Sequence, residues 1–160
     1  PPQLFRNTGQ SFELADVRDD SGYWSSNHLG RGMSRLDFNR DGRMDLAVTH
    51  LGSTSALLLN QTDTSHHWLQ IELVGVESER QAIGATMQIQ IGDSKSTQWV
   101  VAGDGYLCRN EAVVAFGLGN ATVVDKLLIK WPGGKTQQFE NVACDRRLLV
   151  IENQPSLYQR

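Results

Sequence analysis

The sequence predicts an all-β chain, and three observations carry that expectation. Apolar residues alternate with polar ones in short runs, long stretches of 3.6-residue periodicity are absent, and clusters of Gly, Ser, Asn and Asp separate the runs. A period of two puts one face of an extended segment in a core and the other in water, whereas a helix needs apolar residues three and four apart. The separating residues supply the positive φ angles and the side-chain-to-backbone hydrogen bonds that reversals need.

Taken in order, candidate strands run over 4–6, 12–16, 33–37, 44–49 and 56–60. The chain turns wholly polar over 63–67, which marks a boundary between a first domain (1–62) and a second (63–152). Strands are expected in the second domain at 68–76, 85–91, 97–102, 113–116, 126–131, 136–139 and 148–152. Pro132-Gly133-Gly134-Lys135 reads as a hairpin turn, because Pro presets φ at the second turn position and Gly accepts positive φ at the third. Residues 153–160 are mostly polar and are expected to form a flexible tail.

Composition narrows the function. With 160 residues and 39% hydrophobic content, the chain makes one large or two small domains and folds without a disulfide framework. Fifteen Lys plus Arg against 18 Asp plus Glu, with no basic run, lack the positive stripe that phosphate backbones require, so nucleic acid is not an expected partner. No apolar run approaches the roughly 20 residues that span a bilayer, so membrane insertion is not expected either. The opening Pro-Pro-Gln-Leu-Phe has no initiator Met and no signal-like run, and is read as the start of a fragment.

The strongest chemistry lies in Asp37-Phe38-Asn39-Arg40-Asp41-Gly42-Arg43-Met44-Asp45. Oxygen side chains stand at loop positions one, three, five and nine, Gly stands at six, and the Arg43 carbonyl falls at seven. Calcium takes six to eight oxygen ligands from this kind of spacing, so Asp37, Asn39, Asp41, Arg43 and Asp45 are the candidate metal ligands and Ca²⁺ the candidate cofactor. An EF-hand would place a bidentate Glu at position twelve, which here is Val48, and would flank the loop with helices. The loop is therefore EF-hand-like but set between strands. The alternative is an Asx-turn loop whose carboxylates are solvated or paired with Arg40 and Arg43. Three crowded carboxylates repel one another without a cation, which favours the metal.

At these residues the chain resembles a known family. Gly32-Met33, then 36–48 with the acidic loop, then Leu57-Leu58-Leu59-Asn60, are similar to an FG-GAP (VCBS-type) repeat, the blade unit of β-propellers; Leu4-Phe5-Arg6-Asn7 resembles the closing strand of a preceding blade. Farther on, Arg80-Gln81-Ala82-Ile83-Gly84-Ala85, Gly103-Asp104-Gly105-Tyr106-Leu107, Phe116-Gly117-Leu118-Gly119 and Trp131-Pro132-Gly133-Gly134 resemble the ASPIC/UnbV domain. That succession is known at the C-termini of extracellular proteins of the cartilage acidic protein-like family. The resemblance implies one propeller-type blade plus a β-sandwich-like domain, with no enzymatic activity to carry over. Arg35 departs from the small residue usual before the acidic loop, and Cys108 from the more common Ser. One blade cannot close a propeller, so its edges are expected to pack on the second domain or to pair with another copy as a homo-oligomer.

Other constellations carry less. Cys108 and Cys144 are either one disulfide or two buried thiols. His66-His67 reads as polar linker, and His28 and His50 have no ligand-spaced partner. There is no Gly-x-Ser-x-Gly elbow and no complete dinucleotide loop; Asp104, Glu111 and Asp125 form a carboxylate pair only if the fold brings them together. Trp24 and Tyr106 are candidates for stacking on sugars. The resulting expectation is a non-catalytic, calcium-binding interaction or adhesion module, secreted, periplasmic or on the cell surface, with a protein or cell-surface ligand as partner. A carbohydrate-binding module, or an enzyme or accessory of a biosynthetic pathway, is the alternative.

Overall fold

In the computed structural model, which describes residues 1–17 and 21–160, every regular element is a strand. β1 (Phe5–Asn7) and β2 (Phe12–Leu14) make a hairpin of their own. β3 (Gly30–Leu36), β4 (Asp45–His50) and β5 (Ala56–Leu58) form a three-stranded antiparallel sheet. The remaining strands are β6 (His67–Val74), β7 (Thr86–Ile91), β8 (Ser94–Trp99), β9 (Val114–Gly119), β10 (Val123–Lys130), β11 (Thr136–Ala143), β12 (Arg146–Ile151) and β13 (Leu157–Gln159). They build two four-stranded sheets, ordered β11-β10-β7-β8 and β13-β12-β6-β9; among the described residues none closes into a barrel or propeller. Neighbours are antiparallel except β6 and β12, which run parallel with Leu148 opposite Ile71.

Period-two alternation explains the sandwich. Leu69, Ile71 and Leu73 of β6, Phe116 and Leu118 of β9, and Leu148 and Val150 of β12 point from one sheet into a single buried cluster. Met87 and Ile89 of β7, Leu127 and Ile129 of β10, and Val142 of β11 meet them from the other. Among the described residues, those before Leu69 contribute nothing to this apolar core. The buried positions there are Gly32, Asp37 and Asp45. The N-terminal sheet thus surrounds two carboxylates where a small domain ordinarily keeps Leu and Val.

That sheet is held by the sandwich instead. The outer edge of β3 is covered by the β8–β9 connection: the Arg35 carbonyl accepts the Glu111 N–H at 3.0 Å, and the Arg35 N–H donates to Asn110 Oδ1 at 2.7 Å. Cys108 Sγ donates to the Met33 carbonyl at 3.1 Å. An edge strand left bare invites association, and here the second part of the chain supplies the missing partners.

Three expectations need correction or completion. Residues 153–160 are not loose throughout, because β13 pairs with β12, Leu157 packs on the core and the Arg160 N–H reaches the Arg147 carbonyl at 3.0 Å. The strand expected at 97–102 begins at Ser94, since Gly92 at φ 55° allows a turn tight enough to set Ile91 opposite Ser94. Both cysteines are free thiols, with Cys144 donating to the Ala121 carbonyl. Deleting residues 155–160 is expected to lower stability by about 1–2 kcal/mol, the share of a half-buried Leu plus a few ladder bonds. A denaturation midpoint equal to that of the intact chain would show that β13 contributes nothing.

Candidate functional site

The acidic loop connects β3 to β4, so two strands of one sheet fix both its ends. Asp45 is fully buried and Asp37 is 5% exposed. Removing a carboxylate from water costs several kcal/mol unless charge or hydrogen bonds replace the solvent. Among the described residues, neither forms an ion pair with Lys, Arg or His. N–H groups take the place of water. Asp37 Oδ1 accepts the Asp41 N–H at 3.1 Å, and its Oδ2 accepts the Gly42 N–H at 2.9 Å and the Gln70 side-chain amide at 2.7 Å. Asp45 accepts the Phe38 N–H at 2.9 Å and the Asn60 N–H at 2.7 Å.

Asp41 lies in a different setting. It accepts the Arg43 N–H at 2.9 Å, the Arg43 guanidinium at 2.5 Å and the Asn39 amide at 2.7 Å. Burial pushes its carboxyl up, but these donors together hold it below the ordinary carboxylate range. Arg43 also donates through Nε to the Asn60 carbonyl at 2.8 Å, tying the loop to the chain beyond β5. The five residues singled out from sequence therefore occupy one loop in two groups: Asp37 and Asp45 buried, and Asn39, Asp41 and Arg43 linked to one another. Among the described residues, no three His, Cys, Asp or Glu side chains are clustered in an ion-holding arrangement. The donor set nonetheless fits a hard cation, being all oxygen and carrying two buried carboxylates whose charge no cationic side chain among the described residues offsets.

The sandwich supplies residues that sequence reasoning missed. Gly42 lies against the indole of Trp68, so close that a β-carbon there would fall 2.0 Å from the ring. Gln70 holds Asp37, and Glu111 accepts the Asp37 N–H at 3.1 Å while its other oxygen meets Arg147 at 2.6 Å. Trp68, Gln70 and Glu72 alternate with the core residues of β6, a pattern that reads as a solvent face. A large aromatic on that face was the available sign that something covers it.

The other candidates are dispersed. Asp104 meets Arg35 and Asn110 and Glu111 meets Arg147, both on one cleft, whereas Asp125 accepts the Gly92 N–H on the opposite sheet, so the fold brings together two of these three carboxylates and not the third. His67 pairs with Asp145 at 2.6 Å, and His28 stacks on both Tyr23 and His50, with ring centroids 4.3 and 4.9 Å away, while those two also meet each other through the Tyr23 hydroxyl and His50 Nε2 at 3.0 Å. Tyr106 is exposed, and Trp99 lines a cleft of about 390 Å³ together with Gln98, Asp104, Arg109 and Asn110.

The sandwich has relatives. Residues 75–157, just over half of the chain, match the family described as ASPIC and UnbV. The chain belongs to the ASPIC and UnbV family. The chain is also similar to cartilage acidic protein 1 of Xenopus tropicalis, 28% identical over 110 residues that cover 66% of this chain and 17% of that protein. Cartilage acidic protein 1 of Mus musculus and of Homo sapiens are each 28% identical over 129 residues, 77% of this chain and 20% and 19% of theirs. The chain thus spans about a fifth of the length of these relatives. The ASPIC/UnbV match begins after β6, yet β6 is an inner strand of its sheet, flanked by β12 and β9.

Proposed function

We propose that this ASPIC/UnbV chain is a non-catalytic, calcium-dependent interaction module of an extracellular protein, in which an FG-GAP-type unit (1–62) is docked on the sandwich (63–152). The observation that carries the reading is the pair of carboxylates, Asp37 and Asp45, buried in a sheet that has no apolar core and offers them, among the described residues, no cationic partner. Asp37, Asn39, Asp41 and Asp45 would hold Ca²⁺ through side chains and Arg43 through its carbonyl. Bound calcium supplies charge neutralisation and a rigid tie between β3 and β4. Similarity to cartilage acidic protein 1 supports an extracellular setting with a protein or cell-surface ligand, since loops on a rigid β scaffold are suited to recognition.

Calcium is expected to raise the melting temperature. An ion that binds the folded state alone stabilises by about 2.7 kcal/mol at a hundredfold excess over Kd, and millimolar concentrations suit extracellular sites. Calorimetric melting in chelator and in several millimolar calcium checks this, with Asp41→Ala expected to abolish the difference. Equal melting temperatures in both buffers would overturn the reading. A second reading, carbohydrate binding, rests on exposed Trp99 beside amide, guanidinium and carboxylate groups in the cleft. A glycan array on which Trp99→Ala loses signal would support it.

A further inference from the structure

We propose that Gln70, a residue of the sandwich, is a positioning residue of the cation loop, and that ion occupancy and docking of the N-terminal sheet on β6 are one linked event. The proposal rests on the calcium reading above and adds to it the way the site is completed.

Gln70 is 1% exposed, although it lies on the face of β6 turned away from the apolar core. Its Nε2 donates to Asp37, while its Oε1 is buried without a partner among the described residues. A buried amide with one unmet atom is costly, and an apolar residue of similar volume would cover the same surface more cheaply. What the amide does provide is a fixed direction for the first carboxylate of the loop. Groups of this kind behind a metal ligand orient it for the ion.

The remaining contacts converge on the same residue. Glu111, from the β8–β9 connection, takes the Asp37 N–H while its other oxygen is anchored by Arg147. Asp37 is therefore gripped by the sandwich at both its backbone and its side chain. Two positions before Gln70, the indole of Trp68 seats Gly42, whose N–H also donates to Asp37. A cation drawn to Asp37 acts on a carboxylate whose Oδ2 β6 already holds. By linkage, whatever the sandwich contributes to ion affinity, the ion returns as affinity between the two units.

The test titrates calcium into the full chain by isothermal calorimetry, for wild type and Gln70→Met, a substitution that keeps length and volume but loses the amide. The proposal expects Gln70→Met to bind about 10- to 100-fold more weakly while far-UV circular dichroism is unchanged. In wild type it also expects calcium to slow hydrogen exchange of the Asp37 and Glu111 amides by about tenfold or more, a readout that needs no variant if Gln70→Met does not fold. Equal affinities in the two proteins, or wild-type binding with no change at those amides, would overturn the linkage and leave the calcium reading standing. No binding heat in wild type would overturn both.

Discussion

Replacing Gly42 by alanine is expected to destabilise the chain by about 2–5 kcal/mol, the sum of two separate costs. Gly42 has φ of 88°, a conformation that costs an L-residue roughly 1–2 kcal/mol. The added methyl would also lie 2.0 Å from Trp68 Cε2, so the loop must lift off β6 or the indole must turn, and overpacking of this kind costs about 1–3 kcal/mol. Gly134 separates the two. Its φ is 90° and a methyl group added there would meet nothing within 4 Å, so Gly134→Ala carries the backbone cost alone. Melting temperatures are expected to fall by roughly 5–20 °C for Gly42→Ala and by clearly less for Gly134→Ala. Equal losses would show that the contact with Trp68 does not hold the loop in place.

The origin of that cost marks what was legible beforehand. Period-two alternation identified twelve of the strands to within a few residues, because inward residues such as Leu69, Ile71 and Leu73 must be apolar wherever a sheet has a dry face. β13 was missed because Leu157-Tyr158-Gln159 is too short to show alternation, and its pairing with β12 is a tertiary event. The parallel pairing of β6 with β12 was equally invisible, since neither strand's own pattern specifies a partner so far along the chain.

The acidic loop was legible because its chemistry is local. Nine consecutive residues carry the spacing, and the turn at Gly42 is written into them. Its support was not. Gln70, Glu111 and Trp68 come from well beyond the loop in sequence, and Gln and Glu in particular are common on solvated strands and loops. The strands of the first unit carry Leu46, Val48 and Leu57, yet burial selects Asp37 and Asp45. Only the docked arrangement shows why, since the sandwich, not an internal core, supplies the surface on which those strands rest.

Neutralising Glu152 is the other large effect expected, and it is pH-dependent. Glu152 follows β12 directly and is 2% exposed; one of its oxygens accepts the N–H groups of Val76, Glu77 and Ser78 at 2.8, 2.8 and 2.7 Å and the other accepts the Ser78 hydroxyl at 2.8 Å. Burial pushes its carboxyl up, but the Ser78, Val76 and Glu77 donors outweigh that and lower it from 4.5 to about 2. Because the folded-state value lies below the unfolded one, the stabilisation is complete above about pH 4.5 and is lost as pH falls through about 2. Hydrogen bonds to a charged group of this kind contribute about 1.5–3 kcal/mol. Glu152→Gln, which presents an NH₂ to a set of donors, is expected to lose at least that much at neutral pH and to melt roughly 5–10 °C lower. Below about pH 2 the two proteins are expected to converge, since the wild-type carboxyl is then neutral as well. Glu77→Gln, an exposed position paired with Lys135, is expected to change little at any pH. Denaturation midpoints collected from about pH 1 to 7 check this, and parallel curves for wild type and Glu152→Gln would show that the buried carboxylate does not hold the 76–78 turn.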